Sequence, residues 1–498
     1  MLYLAALLLC IWFWRRNFKD STLWMLATYA GVGLLLWRDY DSASTLNEAI
    51  PRIVRDFMLI GMVGLVQSLA VARRVPIWLA IVIILGIFVA AHFLQGMAGP
   101  GALEASNAPA LPADAEFLVE AKEGPAGQAF AQDAARLGWT ITPAFQPQDA
   151  ASTYLDNYFV VDVADVALAE SQLAGLASVA YFEPNEIIVA EPLVAEPVEA
   201  NKQNPALGIN DPDTDQQWAM EALNMDAYYR LLASQTPRKK ARIAILDTGV
   251  DAAHEDLRAN YFSVESKYDN DPMGHGTHCA GIAAGVTNNG IGIGSLAGTG
   301  RGAFVEVTSI KVLGSGGMGT QKSIIAGIIE AADEGVDVIS LSLGGPSNQS
   351  RQQAYSQAIK YATRHGAIVI AAAGNSNRDA ANYSPANAQG IIAVAAIDQH
   401  LLRAPFSNKV NNLAQGIAAP GVAIFSTTPN SKYAAYSGTS MACPFVAGLL
   451  GVMRSVNPDL TAAQAYRILQ QTGKDGAETA YTGRIVQPAA ALQAALSR

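Results

Sequence analysis

Three short segments carry side chains that together can activate a hydroxyl. Ala241-Arg-Ile-Ala-Ile-Leu246 reads as a buried strand running into Asp247-Thr-Gly-Val-Asp251, so a carboxylate stands at a strand's carboxyl end, where open parallel sheets bind ligands. Gly274-His-Gly-Thr-His-Cys-Ala-Gly281 surrounds His275 with glycines that let the chain turn sharply before a helix. Ser437-Gly-Thr-Ser-Met-Ala-Cys-Pro-Phe-Val-Ala447 sets Ser440 at a small-residue turn into a helix, with Pro444 near the helix start, where a missing N–H costs little. A hydroxyl is a poor nucleophile until a base takes its proton, and the base needs a third group to hold its tautomer and offset its new charge. Asp247, His275 and Ser440 supply these three types. Acyl transfer also needs donors where the carbonyl oxygen becomes negative. Asn375, just past the strand Ile368–Ala373, and the backbone N–H of Ser440 supply them.

Other chemistries fit less well. His275 and His278 are spaced as helix-borne metal ligands, but no Glu lies between them as a zinc protease requires. His278 is read as a packed structural histidine. Cys279 and Cys443 follow the reactive His and Ser on their helices and are read as free buried thiols, with Cys10 facing lipid. A serine-carboxyl protease would carry Glu in place of His275 and an acid at Asn375. The alternative function is a catalytically silent scaffold or chaperone, although a silent relative need not retain the complete set of groups.

The elements that must position these groups form an α/β pattern of apolar strands alternating with helices from Asn210 to the C-terminus (residues 210–498). Before it, residues 114–190 read in the order β-α-β-β-α-β: strands at Glu116–Glu120, Trp139–Phe145, Tyr158–Asp162 and within Ser178–Val189, and helices at Gly127–Leu137 and Ala169–Leu176. That is the ferredoxin-like split arrangement, which implies no function by itself. Gly, Ala and Pro mark residues 98–113 as a linker, and acidic Glu-Pro and Ala-Val repeats mark 191–209 as another.

Residues 1–97 hold four apolar runs, Leu2–Trp14, Thr22–Trp37, Phe57–Ala72 and Val75–Leu94, read as about four transmembrane helices. With the N-terminus outside, the inner loops carry Arg15, Arg16, Lys19, Arg73 and Arg74, and the outer loop carries Arg38, Arg52 and Arg55 beside four acidic residues. Positive charge favours the cytoplasmic side, so an even number of spans leaves everything downstream on the extracytoplasmic side. The composition agrees: of 498 residues, 51% are hydrophobic and only 15% charged. The formal net charge of -10 gives no broad field to attract phosphate backbones, so nucleic acid is not a partner. Three cysteines cannot build a disulfide scaffold.

The Asp, His and Ser segments in that order, with Ser342-Leu-Gly-Gly345 and Ala372-Ala-Gly-Asn375, resemble the subtilisin family of serine endopeptidases (subtilases, peptidase S8), and Asn382-Tyr-Ser-Pro385 leans toward its proteinase K-like branch. The resemblance implies a mostly parallel sheet with helices on both faces. It implies that Asp247 orients, His275 acts as general base and acid, Ser440 attacks and Asn375 stabilises the oxyanion. It implies that Gly317, Met318 and Gly319 on one side and Ser342, Leu343 and Gly344 on the other flank an extended polypeptide substrate, and that Ala372, Ala373 and Gly374 line the pocket before the scissile bond. Through it, residues 114–190 become a propeptide of the inhibitor I9 type whose tail lies in the active site, cleaved between Ala190 and Ile209. No cofactor is implied for catalysis. A structural Ca²⁺ is implied at Asp211, Asp256 and Asn289, while Gly416, where some relatives carry Asp, supports no second metal site.

Overall fold

Alternation of apolar and polar residues from Glu116 onward builds a small antiparallel sheet in the computed structural model, which describes residues 116–150, 153–190, 207–298, 304–314, 316–347 and 352–497. Strands β1 (Glu116–Ala121), β2 (Thr140–Pro143), β3 (Tyr158–Asp162) and β4 (Val179–Pro184) lie in the order β2-β3-β1-β4. Helices α1 (Phe130–Leu137) and α2 (Val166–Gly175) occupy the two crossovers. Phe117 and Val119 of β1 pack with Phe130, Val161 and Leu173 into a core of this unit's own. Leu118, on the other face, joins Tyr158 and Val160 in a core shared with helices far downstream. Ser178–Val189, expected to contain one strand, contains two. β4 ends at Pro184, which has no N–H to donate to a ladder, and β5 (Ile187–Val189) leaves the sheet.

Downstream, β6 (Ala241–Asp247), β7 (Val305–Lys311), β9 (Val338–Leu341), β11 (Ile368–Ala372), β13 (Ile392–Ile397) and β14 (Gly416–Pro420) form an all-parallel sheet in the order β14-β13-β11-β9-β6-β7. Outside it, β8 (Met318–Thr320) pairs with β5, β10 (Gly345–Pro346) pairs with β12 (Tyr383–Ser384), and β15 (Ile424–Thr428) pairs with β16 (Lys432–Tyr436). The central strands are apolar throughout because both faces are covered. Along β6, Ile243 and Ile245 enter one core with α3 (His275–Ala284) and α6 (Thr439–Val456), whereas Ala244 and Leu246 enter another with α4 (Gln321–Asp333) and α5 (Gln353–Arg364). The winding direction changes between β6 and β9, so a crevice opens at their carboxyl ends. Asp247 closes β6 and Ser342 follows β9 at that crevice.

α6 is long and apolar enough to cross a bilayer, yet every residue of it is buried inside the protein. Pro444 is its sixth residue rather than part of its first turn, which corrects the sequence reading. At that depth a missing N–H removes a helical hydrogen bond to the carbonyl four residues back, which belongs to Ser440. The freed carbonyl is satisfied from outside the helix, by Ser342 Oγ at 2.9 Å and the Cys279 thiol at 3.4 Å. The chain divides into two units, Met1–Asn107 and Ala108–Arg498, and all described residues belong to the second. The four apolar runs, Cys10, the linker 98–113 and most of the linker 191–209 lie outside the described residues.

Candidate active site

His275 opens α3 and Asp247 ends β6, and the close approach of those two elements needs a glycine between them. A Cβ on Gly276 would lie 2.1 Å from the Gly249 carbonyl oxygen. His275 Nδ1 lies 2.8 Å from both carboxylate oxygens of Asp247, and both residues are fully buried. Asp247 Oδ1 also accepts from the Thr248 N–H at 2.7 Å. Burial opposes the charged imidazolium, but the adjacent Asp247 carboxylate more than offsets it and holds His275 well above its ordinary 6.5. The other ring nitrogen, Nε2, is buried with no hydrogen-bond partner among the described residues.

Ser440 stands in the first turn of α6, at the mouth of the same crevice. Its Oγ donates to the Ser342 carbonyl at 3.0 Å instead of to His275. Asn375 follows β11, and its Oδ1 accepts from the Thr439 N–H and from Thr439 Oγ, both at 2.8 Å. With the oxygen committed in this way, the amide's Nδ2 faces the Gly438 turn that leads into Ser440, 3.2 Å from where a Cβ on Gly438 would stand. The Gly374 N–H donates to Thr439 Oγ at 3.0 Å, and Ala373 and Ala372 are buried at the end of β11 beside it. Ala372 to Asn375 are thereby tied to the turn that carries Ser440.

The segments around Gly319 and Gly344 lie on either side of β5. Ile187, Ile188 and Val189 of β5 pair antiparallel with Thr320, Gly319 and Met318. On the other side Val189 exchanges both backbone hydrogen bonds with Gly344, at 3.5 and 3.3 Å, and the Ala190 N–H donates to the Gly317 carbonyl at 2.7 Å. Ser342 and Leu343 continue the Gly344 edge toward Ser440. Polypeptide can be recognised here by backbone pairing on both edges, with alternate side chains read by pockets.

Asp211, Asp256 and Asn289, far apart in sequence, also meet. Asp211 accepts from the N–H groups of Asn288 and Asn289 at 2.6 and 2.9 Å, and Asp256 accepts from Asn289 Nδ2 at 2.7 Å and the Ile293 N–H at 2.9 Å. Both carboxylates are buried and neither forms an ion pair with Lys or Arg among the described residues. Burial, reinforced by the Asp211 and Glu255 charges, pushes Asp256 up to about 7. The chain also passes very close, since a Cβ on Gly292 would stand 2.5 Å from Asp256 Oδ2. Two buried, mutually repelling carboxylates in a backbone cradle suit a hard cation bound by oxygen. His278 is a packed histidine: its Nε2 lies 3.0 Å from the Ala434 carbonyl, its ring lies against Tyr436, and burial pulls its pKa down to about 3. Cys279 and Cys443 are free and buried, with burial pushing both thiols up.

Comparison with known proteins agrees with this geometry. The model of the subtilase family, peptidase S8, matches residues 238–485. Thermitase of Thermoactinomyces vulgaris is 47% identical over 220 residues, 43% of this chain and 75% of thermitase. The chain belongs to the subtilase family of serine endopeptidases. Subtilisin DY of Bacillus licheniformis is 39% identical over 250 residues, 49% of this chain and 87% of that protein. A solved structure from Pseudoalteromonas arctica PAMC 21717, described as a protease, superposes with a TM-score of 0.51 and 31% identity, covering 58% of this chain and 99% of its own.

The subtilase site also uses residues that the motifs did not single out. Asp271 is buried, and its Oδ1 accepts from Thr248 Oγ and from the N–H groups of Met273 and Gly274, while its Oδ2 accepts from the N–H and Oγ of Thr277. It therefore fixes the turn that presents His275. An Asp a few residues ahead of a helix start is a capping signal that was there to be read. Thr439 was hidden by the motif that contains it, since only the fold brings it to Asn375. Asp271→Ala would strand several buried donors, each costing about 1–3 kcal/mol. Its expected outcome is a lower unfolding temperature in calorimetry and a kcat reduced more than KM is raised.

Proposed function

We propose that this subtilase hydrolyses peptide bonds through an acyl-enzyme on Ser440, with Asp247, His275 and Ser440 as its triad. The observation that carries this reading is the extended segment Ile187–Ala190, paired on one side with Met318–Thr320 and on the other with Gly344, two residues past Ser342, whose carbonyl accepts the Ser440 hydroxyl. In the reaction the Ser440 hydroxyl leaves the Ser342 carbonyl and donates to His275 Nε2, which takes the proton as Oγ attacks the substrate carbonyl. Asp247 keeps the Nδ1 proton and offsets the imidazolium charge. The developing oxyanion is met by Asn375 Nδ2 and by the Ser440 N–H, a first-turn donor with no acceptor inside its helix. His275 then returns the proton to the leaving amine, and water repeats the sequence on the ester.

In this reading residues 114–190 are the enzyme's own propeptide, with β5 blocking the cleft. An alkaline protease of Shouchella clausii supports it: that protein is 33% identical over 362 residues, 70% of this chain and 90% of its own length. A match of that length exceeds the 289 residues from Asn210 onward and so runs into the upstream unit. The apolar N-terminal runs anchor the chain in membrane lipid, with the protease domain on the extracytoplasmic side, and processing within residues 191–209 releases it or leaves it held by its docked propeptide. Asp211, Asp256 and Asn289 hold a structural Ca²⁺ that contributes stability and takes no part in catalysis.

A fluorophosphonate probe is expected to label Ser440 in processed protein, as read by mass spectrometry. Absence of labelling would instead favour the silent scaffold. Asn375→Ala is expected to lower kcat by ~10²–10³, the magnitude found for such a donor in subtilisin itself; an unchanged kcat removes Asn375 from the mechanism. Chelation is expected to lower the unfolding temperature, with recovery on adding Ca²⁺ but not Mg²⁺, which demands a smaller octahedral site. In Asp256→Asn the response to Ca²⁺ is expected to disappear.

A further inference from the structure

The face that the upstream sheet turns toward the protease contains buried carboxylates. Side chains alternate along a strand, so Phe117, Val119 and Phe182 face the upstream unit's own helices, while Leu118, Glu120 and Glu183 face α4 and α5. In register, Leu118 lies opposite both Val160 and Glu183, and Glu120 opposite Tyr158 and Tyr181. Glu120 Oε2 accepts from Tyr158 at 3.0 Å and from Gln353 Nε2 at 2.5 Å. Glu183, 1% exposed, accepts at Oε1 from Gln321 Nε2 at 2.9 Å and from the Ala354 N–H at 3.2 Å, and at Oε2 from Tyr181 at 2.8 Å. Those contacts tie it to the first residue of α4 and the first turn of α5 at once.

No compensating cation reaches this carboxylate. Among the described residues neither Glu183 nor Glu120 forms an ion pair with Lys or Arg. The other titratable groups around Glu183 are Glu186 just beyond β4, Glu120, Tyr158 and Tyr181 in the sheet and Tyr355 on α5, all anionic or neutral. Lys322 on α4 engages the upstream unit through its backbone N–H, which donates to Asn185 Oδ1 at 2.8 Å. Gln321 supplies an independent observation. Its Nε2 donates to Glu183, yet its Oε1 is buried with no donor among the described residues. A protonated carboxyl has a donor to offer in such a site and a carboxylate has none. Burial pushes the Glu183 carboxyl up to about 7, with Glu186 adding to the shift and hydrogen bonds from Tyr181 and Ala354 opposing it.

We propose that Glu183 is a proton-operated latch: protonated, it holds the upstream unit and its β5 tail on the protease domain, and ionised, it loosens them. The consequence for activity rests on the reading of β5 as the segment that blocks the cleft. In the docked state Glu183 releases its proton at about 7, and once solvated it returns to the ordinary 4.5. Docking therefore takes up a proton between those values. It is tightest below about 4.5, weakens by at most ~10-fold per pH unit up to about 7, and is flat beyond. Alkalinisation opens the cleft.

The test uses the full-length chain in detergent micelles with Ser440→Ala to prevent self-digestion. Amide exchange is followed at Val189 and Ala190, whose N–H groups bond Gly344 and Gly317, and corrected for the intrinsic pH dependence of exchange. Protection is expected to fall by up to ~10-fold per pH unit from about 4.5 to about 7. With Glu183→Gln added, protection is expected to stay high and flat. A flat profile with Glu183 present overturns the latch, as does the same slope with Gln in its place. If circular dichroism shows the Gln variant unfolded, Glu186→Gln decides: removing that neighbouring charge must move the slope to lower pH, and an unmoved slope overturns the proposal. Because exchange reads docking and not hydrolysis, failure here leaves the peptidase reading intact, and failure of probe labelling leaves the latch intact.

Discussion

The imidazole of His275 and the carboxylate of Asp247 meet at 2.8 Å in a site from which both side chains are shut off from water. The pairing raises the affinity of the imidazole for a proton against the opposing effect of burial. Much of the surrounding architecture serves this contact. β6 delivers the carboxylate at the point where the sheet changes its winding direction, α3 delivers the imidazole, and Asp271 holds the turn between them. Glycine at 276 lets the two elements approach within a distance that any Cβ would forbid.

The nucleophile is placed by a defect in a helix. Pro444 deprives the Ser440 carbonyl of its helical donor, and Ser342 Oγ and the Cys279 thiol take over that role. Ser440 is thereby tied through its carbonyl to the end of β9 and to α3, the helix that carries His275. Ser342 also receives the Ser440 hydroxyl, so one residue at the cleft edge engages both the backbone and the side chain of the nucleophile. The same residue belongs to the segment that pairs with β5, which joins that pairing and the nucleophile position in one strand end.

The upstream unit is a sheet with two unlike faces. One is covered by its own α1 and α2, and the other is completed only by α4 and α5 of the protease domain. A half-covered sheet of this size leaves an apolar face in water, so docking contributes to the stability of the smaller unit as well as filling the cleft. Glu183 accepts from the Ala354 N–H at the start of α5 and from the Gln321 side chain at the start of α4 at once, which fixes the docking angle, and it makes the fit dependent on protonation.

Much of this was legible in the residues. Periodicity located the upstream strands to within a few positions, and apolar strands alternating with helices marked the downstream half as α/β. Asp247 and Asn375 stood out at the ends of apolar runs, and His275 and Ser440 in glycine-rich or small-residue turns that lead into helices. The division of Ser178–Val189 into two strands escaped notice because a local alternation does not say which partner a strand will find; β5 finds the cleft, more than a hundred residues away in sequence. Pro444 was misplaced in its helix because the start of a helix is a matter of hydrogen bonding and not of composition. The sequence by itself determined the chemical types and the elements that bear them, since these follow from side-chain chemistry and short-range periodicity. Only the tertiary structure decided that Thr439 steers the Asn375 amide, that Ser342 holds Ser440 and that Glu183 is buried between two helix ends, because each depends on contacts between segments that no local pattern links.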